Sequence, residues 1–336
     1  MLFPFSYVFF FFTLLLGSII SISSTSWFGA WVGLELNLMS FIPLISVKAN
    51  SYLSEAALKY FLIQALGSAV LISSSFLFQY FYILPHTLIL LTLLLKLGSP
   101  PFHFWFPQVM EGLMWPQALV LSSIQKLAPL TLISYLASSA LLNKLIILAA
   151  TLSAITGALG GLNLSSLRKI IAFSSINHLS WMLVATSASD IFWFFYFTVY
   201  SIMVLSITTM FYSLQAYSLS NLIKSNQNKI SQALLISFNF LSLSGVPPFT
   251  GFVPKWLLIQ VMLNLNLFVP LFFLLASSLI TLYFYLRIII PLFVMVNPTL
   301  NFNMKFKPIS FLSVSMMTKT SFNFIGLFLP LYFLLY

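Results

Sequence analysis

The chain has no cysteine, which excludes disulfides, thiolate metal sites and thiol catalysis. Charge is almost as scarce. Only 5% of the 336 residues are Asp, Glu, Lys or Arg, about a fifth of the share that covers the surface of a soluble globular domain. A water-soluble enzyme is excluded on that count. The shortage is lopsided, with 14 basic residues against 4 acidic ones and a formal net charge of +10. The basic residues nevertheless stand singly between apolar runs, without the clustering that recognises phosphates, so nucleic acid is excluded as a partner. Three histidines lie far apart and, with four acids, make no metal-ligand spacing. A basic leader and an Arg/Ser-rich presequence are also missing. Met1-Leu-Phe-Pro-Phe enters apolar sequence directly, so the chain is expected to open on its first membrane span.

What is present is material for a bilayer. Apolar segments punctuated by short polar clusters give spans at 3–23, 26–46, 54–80, 86–99, 117–139, 144–163, 168–187, 191–216, 230–247, 267–293 and 320–336. A crossing takes about 20 residues, so the expected fold class is all-α: a polytopic membrane protein of about 11 helices. The 37 phenylalanines, with plentiful Ile, Ser, Asn and Tyr, suggest an AT-rich coding genome such as an organelle's.

Charge placement orients these spans. The connections after spans two, four, six, eight and ten carry Lys48, Arg168, Lys169, Lys224, Lys229, Lys305, Lys307 and Lys319, whereas those after one, three, five and seven carry only Lys144. By the positive-inside rule the N-terminus belongs on the matrix or cytoplasmic side, and an odd span count puts the C-terminus opposite.

Two segments repeat each other. Gly98-Ser99-Pro100-Pro101-Phe102, followed by Trp105 and Pro107, matches Gly245-Val246-Pro247-Pro248-Phe249, followed by Phe252 and Pro254. A proline removes a backbone donor and clashes with the preceding turn, so a helix must stop at each motif. A break of this kind is tolerated near a membrane core only against protein or a water-filled cavity. The motifs end spans four and nine, an odd separation, so the chain crosses in opposite senses at the two. That is an inverted repeat around two discontinuous helices, an architecture of ion-coupled transporters. We expect a single membrane domain over 1–336, with a first repeat region at about 54–190 and a second at about 191–293.

Ionisable residues inside the hydrocarbon cost about 2.5–3.5 kcal/mol each on insertion scales and mark function by default. Glu35 is in the middle of span two. Lys96 is two residues before the first break, Lys126 precedes Pro129 (which should free the carbonyl of Gln125), and Lys255 follows the second break. Snorkelling to an interface is the ordinary alternative for each lysine. His178, beside Ser174, Ser175 and Asn177 in span seven, could relay protons or simply be a packed, hydrogen-bonded histidine. Glu55 and Lys59 have the spacing of a local i,i+4 pair. His103 reads as part of an interfacial aromatic belt, and His86, Glu111, Asp190 and Arg287 fall near span ends. Burial favours a neutral amine and a nearby carboxylate favours the ammonium, so an acid–lysine pair that forms and breaks can load and release a proton. Moving that charge through the membrane field is worth about 2.3 kcal/mol per 100 mV. The residues by themselves point to a proton or cation conductor.

Several motifs carry a resemblance: Trp31-Val-Gly-Leu-Glu35-Leu-Asn37, Glu55-Ala-Ala-Leu-Lys59, Leu95-Lys96 through Trp105, Gln125-Lys126-Leu-Ala-Pro129, Leu167-Arg168-Lys169-Ile, Ser174-Ser-Ile-Asn-His178, and Pro247 through Trp256. Together they resemble the subunit 2 family of NADH–ubiquinone oxidoreductase (respiratory complex I), in a mitochondrially encoded, arthropod-like form, most strongly over 31–256. The resemblance implies an antiporter-like core subunit of the membrane arm, in the mitochondrial inner membrane, that translocates protons while other subunits carry NADH-to-ubiquinone electron transfer. It implies Glu35 pairing with Lys96, Lys126 as a connecting lysine, Lys255 as the lysine of the second broken helix and, less directly, His178 on the same axis. No cofactor or metal is implied in this subunit. Implied partners are other membrane-arm subunits, lipid, and protons as the transported species. An autonomous cation/proton antiporter is the alternative, and a scaffold whose buried charges are relics is a third reading.

Overall fold

The computed structural model describes residues 5–46, 50–81, 83–226 and 230–294. The expected eleventh span at 320–336, and with it Lys48, Lys229, Lys305, Lys307 and Lys319, lies outside them. The described residues form helices and no named strand. The first three spans are α1 (Phe5–Ser23), α2 (Trp27–Ile45) and α3 (Ser51–Phe76). Ser26 and Asn50 cap α2 and α3 by accepting the backbone N–H of Gly29 and Tyr52, as short polar side chains do ahead of an apolar run.

The proline pairs do what their chemistry dictates. Span four is α4 (Ile83–Leu97), broken over 98–104 and resumed as α5 (Trp105–Gly112). Span nine is α12 (Ile230–Ser244), broken over 245–251 and resumed as α13 (Phe252–Asn264). The helices beyond the breaks were not among the expected spans, because a stretch of 8 or 13 residues is too short to cross alone. Span five bends at Ser123 (φ −114°, ψ −81°) into α6 (Trp115–Ser122) and α7 (Ile124–Leu136). The remainder is α8 (Ala140–Gly160), α9 (Leu167–Ala188), α10 (Asp190–Leu214), a short α11 (Leu219–Asn226) in the eighth connection, and α14 (Phe268–Val294). Eight of these spans, α6 and α7 counted as one, are long and apolar enough to cross a membrane, and the two broken helices supply two more crossings.

α9 is the hub. It touches α5, α7, α8, α10, α13 and α14 and is almost wholly buried, although it is the least apolar of the eight. Its serines stay buried cheaply because Ser174, Ser175 and Ser180 each donate to the carbonyl three residues back, leaving no orphan hydroxyl.

Packing partners recur five spans later. α1 lies along α2 as α8 lies along α9; α3 sits against α2 and α4 as α10 sits against α9 and α12; α7 meets α4 as α14 meets α12. The closest crossings match as well. A Cβ on Gly17 would be 2.8 Å from the Asn37 nitrogen, and one on Gly157 would be 2.7 Å from the Asn177 nitrogen. Small residues admit this backbone approach between membrane helices.

At one end of the bundle, Leu167 and Leu219 bond across to the carbonyls of Tyr217 and Ser165, joining the sixth and eighth connections. Asn50, Gly112, Arg168 and Tyr217 line one crevice there. The connections after spans two, four, six and eight therefore share that end, as the charge pattern requires.

Candidate functional site

Both breaks have the same backbone. Gly98 (φ 72°) and Gly245 (φ 76°) occupy the left-handed region that glycine enters freely. Their N–H groups bond back to Leu95 and Ser242, and the next residues, Ser99 and Val246, to Leu94 and Leu241. The peptide between the two prolines is cis in each. Since neither proline has an N–H, the two carbonyls four residues earlier lose their helical donors. These are Lys96 and Leu97 at the first break, and Leu243 and Ser244 at the second.

At the first break, Gln64 on α3 donates to the Lys96 carbonyl (3.3 Å), and Trp105 donates from Nε1 to Leu95 (3.0 Å). The Lys96 side chain is buried. Glu35 on α2 is near enough for its charge to act on Lys96 and Tyr60, but it is not in direct contact with the lysine. The described ion pairs are Glu55–Lys59 and Glu111–Lys169, both at 2.7 Å. The Glu35 Oε2 is buried without a hydrogen-bond partner. Beside it, Gln125 donates to Asn37 Oδ1 (2.8 Å) and accepts from the Tyr60 hydroxyl (3.2 Å), tying α2, α3 and α7 together.

Lys96 and Lys126 line a common cavity of about 20 Å³, with Asn37, Tyr60, Gln64 and Gln125 among its walls. That volume holds roughly one water. Lys126 does not turn to the Gln125 carbonyl beside Pro129. Its Nζ donates to the Ser175 carbonyl on α9 (3.1 Å) and lies 5.2 and 5.3 Å from the ring centres of Phe106 and Tyr200, a cage suited to an ammonium.

Three residues further along α9, His178 contacts the Tyr196 hydroxyl through Nδ1 (2.9 Å), and its ring lies near the Leu243 carbonyl. The charges of Lys126 and Lys255 both act on this ring. Lys255, in the first turn of α13, donates to the Ser244 carbonyl (2.7 Å), with its Nζ 5.9 Å from the Trp181 ring centre. Of the two carbonyls freed by Pro247 and Pro248, that of Ser244 is taken by Lys255 and that of Leu243 has His178 beside it. Around this end of the series, Trp181 Nε1 and Thr250 Oγ1 are buried with no hydrogen-bond partner among the described residues.

The result is one buried series. It runs from Lys96 through the cavity to Lys126, then by Ser175 and His178 on α9 to the adjacent carbonyls of Leu243 and Ser244, and so to Lys255. Glu35 flanks its first member. The other candidates lie elsewhere. Glu55 and Lys59 pair locally at the exposed start of α3. His103 stacks near Phe104 (4.1 Å between ring centres), and His86 meets Phe78. Asp190 accepts from Trp193 in the first turn of α10, and Arg287 donates to Asn163. Sequence reading missed Gln64, Tyr60, Tyr196 and Tyr200 as wall residues. A double proline does, however, announce two successive acceptors, and that signal was available.

Comparison with known proteins agrees with this fold. A model of the membrane family described as NADH:quinone oxidoreductase/Mrp antiporter matches residues 24–84 and 78–281. The NADH-ubiquinone oxidoreductase chain 2 of Anopheles gambiae is 45% identical over 291 residues, 84% of either chain. That of Locusta migratoria is 36% identical over 283 residues, 82% of either chain. Among solved structures, a chain of respiratory complex I from Thermus thermophilus has the same fold (TM-score 0.80, 22% identity, covering 98% of this chain and 79% of that one). So does a chain of the Mrp complex from a Dietzia species (TM-score 0.78, 16% identity, covering 96% and 75%).

Proposed function

The chain belongs to the NADH-ubiquinone oxidoreductase chain 2 family, within the broader NADH:quinone oxidoreductase/Mrp antiporter group, and from that membership we propose how its buried series handles protons. The protein is an antiporter-like, multi-pass subunit of the complex I membrane arm, assembled with other membrane subunits, in an oxidoreductase that translocates H⁺. In our reading, Lys96, Lys126 and Lys255 hold and pass protons at Nζ. His178 hands a proton between the last two, and Glu35 modulates Lys96 through its field. The protein sits in the inner mitochondrial membrane with its N-terminus on the matrix side, which the segregation of basic connections supports. No cofactor is held by this chain, and redox chemistry belongs to other subunits. Lipid and protons are its non-protein partners.

The observation that carries this reading is the series itself. Each lysine is buried, Lys126 and Lys255 are hydrogen-bonded to the carbonyls of Ser175 and Ser244, and His178, one turn beyond Ser175 on α9, lies near the Leu243 carbonyl next to Ser244. A carbonyl accepts from the ammonium and from the neutral amine alike, so Lys126 and Lys255 keep a hydrogen-bond partner while another of the ammonium's protons leaves and returns. The 20 Å³ cavity supplies room for a water between the first two stations. The recurrence of packing partners supports two inverted halves at 5–136 and 140–294, in place of regions at 54–190 and 191–293, which would put α8 in the first region and its counterpart α1 in neither.

The test is Lys96→Met in the assembled complex, read as proton uptake by inside-out vesicles alongside NADH–quinone turnover. Lost pumping and slowed turnover with assembly intact is expected; normal pumping would leave the scaffold reading standing. The likeness to an Mrp subunit keeps the autonomous antiporter as a second reading, which transport by the isolated chain in liposomes would establish.

A further inference from the structure

Two cavities lie in line along the seam between α3 and α5. The inner one is the Lys96–Lys126 cavity, to which α3 contributes Tyr60 and Gln64 and α5 contributes Trp105 and Phe106. The outer one is a crevice of about 620 Å³, to which α3 contributes Tyr52, Glu55, Ala56 and Lys59, and α5 contributes Gln108 and Glu111. Ala56 and Tyr60 are one helical turn apart, a rise of roughly 6 Å. Trp105 and Gln108 are likewise i,i+3. Between the two spaces stand the Tyr60 and Trp105 rings, 6.0 Å apart between centres.

The chemistry of the crevice suits water better than a bound anion. Its charges are engaged: Glu55 with Lys59 and Glu111 with Lys169, and Arg168 with the Leu113 carbonyl (2.6 Å) and the Tyr217 ring. No described cation in it stands free to hold a phosphate or a lipid headgroup. Asn50, Tyr52, Gln108 and Glu111 are exposed, so the crevice is open at its outer end.

Each ring is tied to the lysine axis. Tyr60 donates to the Gln125 side chain, next to Lys126, and Trp105 donates to the backbone of the broken helix at Leu95, next to Lys96. The state of either lysine is thus one bond away from a ring of the plug.

We infer that this crevice is the aqueous mouth of the lysine axis, and that the Tyr60–Trp105 pair is the gate between it and the inner cavity. The inference rests on the relay reading above. The proton that enters is carried by water, so nothing is oxidised or reduced at the mouth.

The absence of cysteine makes the test specific within this chain. In the assembled complex, in inside-out vesicles, Ala56→Cys at the crevice floor is treated with a membrane-impermeant, positively charged thiosulfonate. Asn221→Cys, exposed on α11 at the same end of the bundle, is the control, and peptide mass spectrometry confirms labelling. Labelling of Ala56→Cys should abolish formation of the pH gradient, and labelling of Asn221→Cys should leave it unchanged. If Ala56→Cys fails to assemble, Gln108→Cys at the exposed mouth takes its place with the same expectation. Independently, Tyr60→Ala should make the proton gradient collapse faster when turnover stops. Labelling of the crevice without loss of pumping, or a crevice closed to the reagent, would overturn the inference. Lys96→Met is run in parallel: if it abolishes pumping while the crevice label does nothing, only the entry route fails, and if it leaves pumping normal, the relay itself fails.

Discussion

The two proline breaks are the same object with different occupants. Their backbone hydrogen bonds, left-handed glycines and freed carbonyls correspond residue for residue at an offset of 147. Yet the lysine of the first stands before the break, and that of the second stands after it. The position of Lys96 is Leu243 in the second half, and that of Lys255 is the exposed Gln108 in the first. Neutral Gln64 takes a freed carbonyl in one case; Lys255 takes one in the other, with His178 beside the second. The asymmetry extends one layer out. Gly17 against Asn37 and Gly157 against Asn177 share an offset of 140, and Gln125–Asn37 in the first half corresponds to Ser277–Asn177 in the second. At that offset Glu35 faces Ser175, whose carbonyl receives Lys126. A duplicated scaffold fixes where polar groups can be buried, and the side chains then decide which station each half becomes.

The sharpest way to break this comparison is to change the lysines. Arginine keeps the charge but does not give up its proton. Lys96→Arg and Lys255→Arg should therefore each slow proton translocation by about 100-fold or more, the scale of losing a positioned proton-transfer group. Near-normal uptake in either variant would mean that only the charge matters there. Less drastic is a challenge to the shared scaffold. Gly17→Ala and Gly157→Ala each force a methyl against a backbone nitrogen, an overpacking that costs about 1–3 kcal/mol. Similar losses of thermal stability of the complex are expected from both, and unequal losses would show that the halves are not packed alike. His178→Gln retains hydrogen-bonding capacity without a titratable ring and should lower pumping by roughly tenfold, a small part of the usual general acid–base contribution, with assembly measured by native electrophoresis unchanged. Smallest is Gln64→Leu, which removes one neutral hydrogen bond at the first break and should cost about 1 kcal/mol, visible as a slightly lower melting temperature with pumping retained.

Much of this was legible in the sequence because it rests on local chemistry. Span length, the helix-stopping action of Pro100-Pro101 and Pro247-Pro248, and the rarity of Glu35, Lys96, Lys126 and Lys255 in apolar runs need no tertiary information. The positions of α5 and α13 were missed because neither meets a length criterion for a span. The Lys126 acceptor was not legible either: Pro129 announces a freed carbonyl in the same helix, whereas the side chain reaches across to Ser175 on α9. The halves at 5–136 and 140–294 leave almost no trace in the letters. Beyond the break motif they coincide in isolated residues such as Asn37 and Asn177, whose equivalence appears only when helices are seen side by side.

Ser175 and His178 occupy consecutive turns of α9 and meet different neighbours, Lys126 on α7 and the Leu243 carbonyl at the end of α12. An axial displacement of a single residue, about 1.5 Å, would disturb both contacts together, so the register of α9 sets the two stations in common.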